Sequence, residues 1–269
     1  MVIRPWFYAY GTEGNDSLNL ASVAGTVSLN GLAGNDFLAM SQFGGYADGG
    51  TGKDVVVGGA GDDYIDGGAG DDNIKAGAGD DNVYAGDDND VVTCGLGNDY
   101  AVGGAGDDLM FGQAGNDNLI GGFGNDTIIG GVGDDFIAGG YGVDRISAGL
   151  GNDRVYAGAG DMVGLGGGQD VVTFTEDTSS ERVRVVINGF GQDDTLVVST
   201  EFAVHSVQFI GGKIVAESRW GDGSLTIGGD ITKAFDGADG MVDGHIDFGL
   251  VQQHGNLKFD NMTFDGGKG

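Results

Sequence analysis

The stretch Gly49-Gly50-Thr51-Gly52-Lys53-Asp54-Val55-Val56-Val57, followed at once by Gly58-Gly59-Ala60-Gly61-Asp62-Asp63-Tyr64-Ile65-Asp66, holds two copies of one nine-residue unit. The phase runs without a gap to Tyr156, giving twelve consecutive copies over 49–156. In every copy the sixth position is aspartate: Asp54, Asp63, Asp72, Asp81, Asp90, Asp99, Asp108, Asp117, Asp126, Asp135, Asp144 and Asp153. The eighth is always apolar, from Val56 and Ile65 through Met110 and Leu119 to Val155. Outlying copies centre on Asp16, Asp36 and Asp170, with Leu18, Leu38 and Val172 at the apolar position. A degenerate copy spans Met40 to Asp48. At the far end the array frays: Met162 stands in the aspartate slot, and one residue is missing before Asp170.

A helix cannot carry this pattern. One apolar residue flanked by outward neighbours suits a short strand, because alternate strand residues face opposite ways. Three glycines in four positions mark backbone that needs positive φ or close approach of a neighbouring chain, so that half of each copy reads as a turn. Two copies then make one flattened coil with a strand on each side. The fold expected is an all-β parallel β-roll, a solenoid whose thin core comes from the eighth positions. At a strand spacing of about 4.8 Å the twelve-copy array is about 29 Å long. Same-side turns lie two copies apart, which stacks Asp54 over Asp72 and Asp63 over Asp81, and so on to Asp135 over Asp153.

Composition says what fills the gaps between stacked turns. The chain has 269 residues, 59 of them glycine, with 41 acidic against 12 basic side chains and a formal charge of −29. Such a charge repels nucleic acid and opposes compaction unless cations neutralise it. Each gap is lined by carboxylates and by carbonyls that glycine leaves uncovered, an all-oxygen cage of the kind Ca²⁺ accepts. Magnesium resists dehydration, and transition metals want imidazole or thiolate, of which these turns hold only Cys94. About ten calcium ions or more would bring roughly +20 and cancel most of the charge. A chain with a core this slender takes its ordering energy from the ions.

The repeat Gly-Gly-x-Gly-x-Asp-x-apolar-x resembles the nonapeptide of the RTX (repeats in toxin) family, the hemolysin-type calcium-binding repeat proteins, over about Gly11 to Thr173. The resemblance implies a right-handed parallel β-roll, with calcium held by the sixth-position aspartates and turn carbonyls. It also implies export through type I secretion machinery to the cell surface or beyond, with folding on contact with external calcium. On this reading 1–173 is the β-roll and 174–269 a C-terminal β-rich cap. The alternating stretches Arg182 to Ile187, Thr195 to Val198 and Val204 to Ile210 suggest antiparallel structure there, with an uncleaved secretion signal from about Asp236. The acidic cluster Asp236, Asp239, Asp243 and Asp247 matches no EF-hand spacing and reads as a solvated turn.

No zinc helix, nucleophile elbow or phosphate loop occurs in the sequence, no catalytic residue is assigned, and a non-enzyme is expected. His205, His245 and His254 read as surface or core residues, and Cys94 as a small residue in a first-position glycine slot. Met1 to Tyr10 is too short and too soon polar for a signal peptide, and no segment approaches a membrane span. On one sheet the seventh positions run Tyr64, Asn82, Tyr100, Asn118, Phe136 and Arg154, with Tyr84 and Tyr156 at ninth positions beside them. That row is a candidate platform for a polysaccharide or cell-surface ligand, although aromatics also favour strands for packing alone. Three functions compete: a secreted calcium-binding structural, adhesive or binding module; the calcium-dependent folding and secretion tail of an RTX enzyme or toxin; and an ice-binding adhesin. The last rests on a resemblance to certain RTX adhesins whose turns carry Thr at the third position and Asn at the fifth, and here the third position reads Thr51, Ala60, Ala69, Ala78, Asp87 and Leu96 in the first six copies, so the threonine row is missing.

Overall fold

A computed structural model describes residues 6–174 and 183–189, and beyond them, as backbone, the strands Thr195–Val198, Phe202–Ile210, Lys213–Trp220, Ser224–Gly228, Met241–Val242, His245–Asp247 and Met262–Asp265. Among the described residues there is no helix. The chain alternates between two sheets, and as far as Val183–Asn188 and Thr195–Val198 each strand pairs with the strand two places on in sequence. Tyr100–Ala105, in the first sheet, pairs in parallel with Asn118–Phe123 in the register Tyr100 to Asn118 and Ala101 to Leu119, an offset of two copies. Leu109–Ala114, in the second sheet, pairs the same way with Thr127–Val132. The parallel β-solenoid read from the nine-residue period is the fold.

The strands are longer than the three residues the pattern suggested. Most run for six, through the first three positions of the following repeat, and Gly104 pairs with Gly122 and Ala105 with Phe123. Glycine bends this ladder without interrupting it. Gly104 has φ +118°, and a Cβ there would strike the carbonyl oxygen of Gly86 one coil below. Left-handed backbone and a 4.8 Å stack meet at that position, which is why a side chain there is costly.

The core holds a second residue in four of the twelve copies. Eighth-position side chains such as Val56, Ile65, Leu119 and Ile137 are fully buried, and so are the first-position residues Ala76, Ala85, Cys94 and Ala148. Burial pushes the Cys94 thiol far above its ordinary range, which leaves it inert.

The solenoid has two turn edges. On the first, turns such as Gly106-Asp107-Asp108 lead from the first sheet to the second. On the other, turns such as Gly115-Asn116-Asp117 lead back. The fraying expected at Met162 is a shortened turn instead. Arg145 pairs with Met162 and Ile146 with Val163, so Met162 holds a seventh position and the fully buried Val163 an eighth. The residue deleted is the fifth of the turn Ala157-Gly158-Ala159-Gly160, and the sixth position survives as Asp161, which is fully buried.

Parallel stacking continues past residue 173. Val183–Asn188 pairs in parallel with Met162–Gly167 on one side and antiparallel with Lys213–Trp220 on the other. Thr195–Val198 likewise pairs in parallel with Val171–Phe174 and antiparallel with Ser224–Gly228. The antiparallel expectation therefore holds for one side of each strand, and Ile187 extends the buried core by one more step. Phe190, Asp236, Asp239 and Asp243 lie outside the described residues, as does His254; of Asp247, His205 and His245 only the backbone is described.

Candidate metal centre

The sixth-position aspartates form two rows, one along each turn edge. On the first edge eight hydrogen bonds of 2.7–2.9 Å join Asp16, Asp36, Asp54, Asp72, Asp90, Asp108, Asp126, Asp144 and Asp161, each backbone N–H donating to Oδ1 of the next aspartate. On the second edge six bonds of 2.8–2.9 Å join Asp63, Asp81, Asp99, Asp117, Asp135, Asp153 and Asp170 in the same sense. All fifteen aspartates picked out by the repeat lie in these rows. Asp161 is the member that sequence spacing missed, because the deleted residue falls just before it.

One oxygen of each carboxylate is thus used, and the other is stranded. Oδ2 of Asp36, Asp54, Asp72, Asp90, Asp108, Asp126 and Asp144 on one edge, and of Asp81, Asp99, Asp117, Asp135 and Asp153 on the other, is buried without a hydrogen-bond partner. Asp63 has its Oδ1 stranded instead, since its Oδ2 accepts from Gly59 N at 2.8 Å. The row ends differ. Asp16 Oδ2 accepts from Thr12 N and Oγ1 at 2.6 and 2.9 Å, and Asp161 Oδ2 from Gly158 N at 2.6 Å.

Stranded buried carboxylate oxygens are costly, at several kcal/mol each if ionised without compensation. Burial pushes the carboxyls of Asp63, Asp72, Asp81, Asp90, Asp135 and Asp144 up to about 7, and those of Asp99, Asp108 and Asp126 up to about 6. Backbone N–H donors oppose the rise and lose to it. At neutral pH the rows therefore call for protons or cations.

The space for a cation is where first-position glycine lacks a side chain. A Cβ on Gly103 would strike both Asp108 Oδ2 and the carbonyl oxygen of Gly121 in the coil above; on Gly112 it would strike Asp117 Oδ2 and Gly130 O, and on Gly121 Asp126 Oδ2 and Gly139 O. A stranded carboxylate oxygen and a backbone carbonyl thus converge on one point in these copies, while Ala76, Ala85, Cys94 and Ala148 set a buried side chain at the same position of theirs. Among the described residues no three His, Cys, Asp or Glu side chains cluster as a metal site. A cation here would take most of its ligands from backbone carbonyls. An all-oxygen set with few charges per site suits a hard divalent ion of flexible geometry, which fits Ca²⁺ and not a transition metal.

Comparison with known proteins bears on this point. The sequence profile described as "RTX calcium-binding nonapeptide repeat (4 copies)" matches residues 48–81, 66–101, 95–128 and 129–161. Residues 48–161 are an RTX calcium-binding repeat array. Of solved structures, the chain is similar to the X-ray crystal structure of "a hyperactive, Ca2+-dependent, beta-helical antifreeze protein from an Antarctic bacterium", at 22% identity over 68% of this chain and 83% of that one. The TM-score is 0.30, too loose a superposition to carry an argument. No curated protein matches the chain. Within the matched segment every sixth position of the twelve copies is aspartate, and the rows run beyond it, the first to Asp36 and Asp16 and the second to Asp170.

A second side-chain ladder escaped the sequence reading. Fifth-position Asn and Asp residues accept through Oδ1 from the backbone N–H of the fifth position one coil on: Asp107 N–H to Asn89 at 2.8 Å, and Asn125 N–H to Asp107 at 2.7 Å. This runs opposite to the sixth-position rows, so neighbouring turns are clasped from both sides. The signal was present in the sequence as the Asn or Asp that recurs before all of the twelve aspartates but Asp54 and Asp144.

The aromatic row is continuous from Tyr46 to Tyr100, while Phe136 and Tyr156 form a separate pair. Tyr46, Tyr64, Tyr84 and Tyr100 follow one another with ring centroids 5.5, 5.5 and 5.9 Å apart, because seventh- and ninth-position rings of successive coils interleave. Tyr46 and Tyr64 are stacked, with 17° between their planes. Their faces meet each other, leaving edges outward. A polysaccharide platform requires exposed ring faces, and self-stacking removes them for this pair.

Proposed function

We propose that the chain is a calcium-loaded β-roll that folds on meeting external calcium and serves as a structural or binding module at or beyond the cell surface. The stranded carboxylate oxygens carry this reading: a roll in which more than a dozen buried oxygens lack partners is poorly stable without cations, so binding energy becomes folding energy. The row lengths suggest about fourteen ions, one per gap between stacked aspartates, each gap taking a Ca²⁺ among carboxylate and carbonyl oxygens. With so many ions the formal charge of −29 is offset almost in full. Export by type I machinery belongs to the same proposal, since a chain kept unfolded where calcium is scarce can pass a channel and then fold outside.

The test is far-ultraviolet circular dichroism of the protein in chelator, in magnesium and in calcium. Calcium alone should convert a disordered spectrum to a β spectrum. A β spectrum that persists in excess chelator at neutral pH contradicts the proposal. Binding of the calcium-loaded protein to a panel of surface polysaccharides tests the ligand separately, and the self-stacked tyrosines favour a scaffold role over sugar recognition.

A further inference from the structure

The fifth-position ladder joins side chains of unequal charge by equal geometry. On the second edge it runs Asp62, Asp80, Asn98, Asn116, Asp134 and Asn152 to the backbone of Gln169, in bonds of 2.7–3.0 Å. Oδ1 of Asp80 accepts from Asn98 N–H at 2.8 Å, and Oδ1 of Asn98 accepts from Asn116 N–H at 2.9 Å. A carboxylate and a carboxamide do the same structural work. They do not do the same electrostatic work. Each fifth-position side chain is exposed, has one oxygen committed to the coil above, and is bonded in sequence to an aspartate of the buried row.

On the first edge the structure supplies a control. Val143 occupies a fifth position and has no acceptor to offer, and the turn above it is the one whose fifth residue is deleted, so no N–H is left in need. At Lys53, the other fifth position without an acceptor, the Nζ instead donates to the Asp71 carboxylate of the turn above. Fifth-position Asn and Asp thus hold the coil above, and the choice between them is free to be set by charge.

We propose that the fifth-position residues are affinity-setting residues for calcium. Aspartate there strengthens the adjoining gap and asparagine weakens it, so the gap between Asp63 and Asp81 fills before the gap between Asp99 and Asp117. The first of these is flanked by Asp62 and Asp80, the second by Asn98 and Asn116. The inference rests on the calcium reading above. Each fifth-position residue directly precedes a sixth-position aspartate of the buried row, and a carboxylate there adds an attraction for a divalent cation in the adjoining gap that a carboxamide lacks.

The experiment is a calcium titration of the full chain, followed by circular dichroism and by calorimetry, for four variants beside the unaltered protein. D62N/D80N keeps the Oδ1 acceptors and removes two charges; half-saturating calcium should rise about three- to tenfold. N98D/N116D should lower it. E13Q/D87N, which removes two exposed charges that flank no second-edge gap, controls for net charge and should change it less than about twofold. D62A/D80A also loses the acceptors, so it should need more calcium than D62N/D80N, with faster hydrogen exchange at the Asp80 and Asn98 amides. A D62N/D80N midpoint equal to that of the unaltered protein, or an E13Q/D87N shift as large, would overturn the inference while leaving calcium-driven folding intact. No calcium transition in the unaltered protein would overturn both.

Discussion

The two turn edges are built from the same repeat and differ at their ends. The first-edge row runs from Asp16 to Asp161 and the second from Asp63 to Asp170, so the second begins later and finishes later. Before Asp63 the second edge closes with loops. Ser41 holds them, its buried Oγ donating to Gly25 O at 2.6 Å and accepting from Phe43 N–H at 3.2 Å. A neutral hydroxyl satisfies what aspartate leaves stranded, so a coil can close there without a cation. The edges also differ in tolerance. On the first edge the sixth-position row survives a deleted residue, with Asp144 N–H still donating to Asp161 at 2.8 Å, while the fifth-position ladder is interrupted at Lys53 and stops at Val143. On the second edge both ladders run unbroken from Asp62 and Asp63 onward. The sixth-position row is what a coil requires, and the fifth-position ladder is added to it.

The largest effects should come from breaking an interior rung. Asp108→Ala on the first edge, or Asp117→Ala on the second, alters two gaps at once, since each interior aspartate borders the coil above and the coil below. Because coils couple to their nearest neighbours, either should raise the calcium needed for half-folding on the order of tenfold and lower the cooperativity. Asp16→Ala, at a row end where Oδ2 already has partners, should shift it about twofold at most. Equal shifts for Asp16 and Asp108 would mean that the gaps act independently.

Two second-position glycines sharpen the contrast between edges. Gly149, on the second edge, has φ +124° and faces the carbonyl oxygen of Gly131, whereas Gly158, in the shortened first-edge turn, would meet only Gly140 O at 3.3 Å and Asp161 Oδ2 at 3.7 Å. Gly149→Ala should cost about 2 to 4 kcal/mol in urea unfolding with calcium present, from strain and overlap together. Gly158→Ala should cost about 1 kcal/mol or less. Similar costs would show that the shortened turn is as tight as the others.

Protons should partly replace calcium. In chelator, the folded roll holds carboxyls raised by burial to about 6 or 7, while the unfolded chain titrates near the ordinary carboxylate value. The folded form then binds more protons between those limits, so metal-free stability is greatest below about pH 4 and falls as pH rises through 6 to 7. β-structure measured in chelator should grow on acidification from pH 8 to pH 5. Loss of β-structure over that range would contradict the burial of these carboxylates.

The smallest effect expected is in the fifth-position ladder. Asn152→Val removes the acceptor for Gln169 N–H and should cost about 1 kcal/mol. The mirror change Val143→Asn offers an acceptor beneath a turn with no fifth residue and should gain nothing measurable by the same urea unfolding. A gain there would mean that the shortened turn still presents a donor.

Much of this was legible in the sequence because a period of nine fixes every neighbour by arithmetic: once Asp99 is known to stack under Asp117, its surroundings follow. The coil, the buried eighth positions and the fifteen aspartates came out on that ground. What failed was whatever breaks the period or hides within it. Asp161 was passed over because a deletion was placed after it rather than before it. First-position Ala and Cys side chains were read as turn residues, although the chain turns inward there and buries them. The orphaned carboxylate oxygens were out of reach, since they depend on which oxygen each backbone N–H takes. Tyr84 was set beside the aromatic row when it belongs within it, because side chains of successive coils lean across positions that spacing keeps apart.

The central claim is that both rows of buried aspartates are calcium sites in the folded protein. Equilibrium dialysis of the folded full-length chain against calcium, with metal counted per protein, tests it most directly. Two rows with eight and six inter-aspartate steps predict on the order of fourteen ions, falling by about two in Asp108→Ala and again by about two in Asp117→Ala. A folded protein that holds only a few ions, or whose count is unmoved by either change, would contradict it.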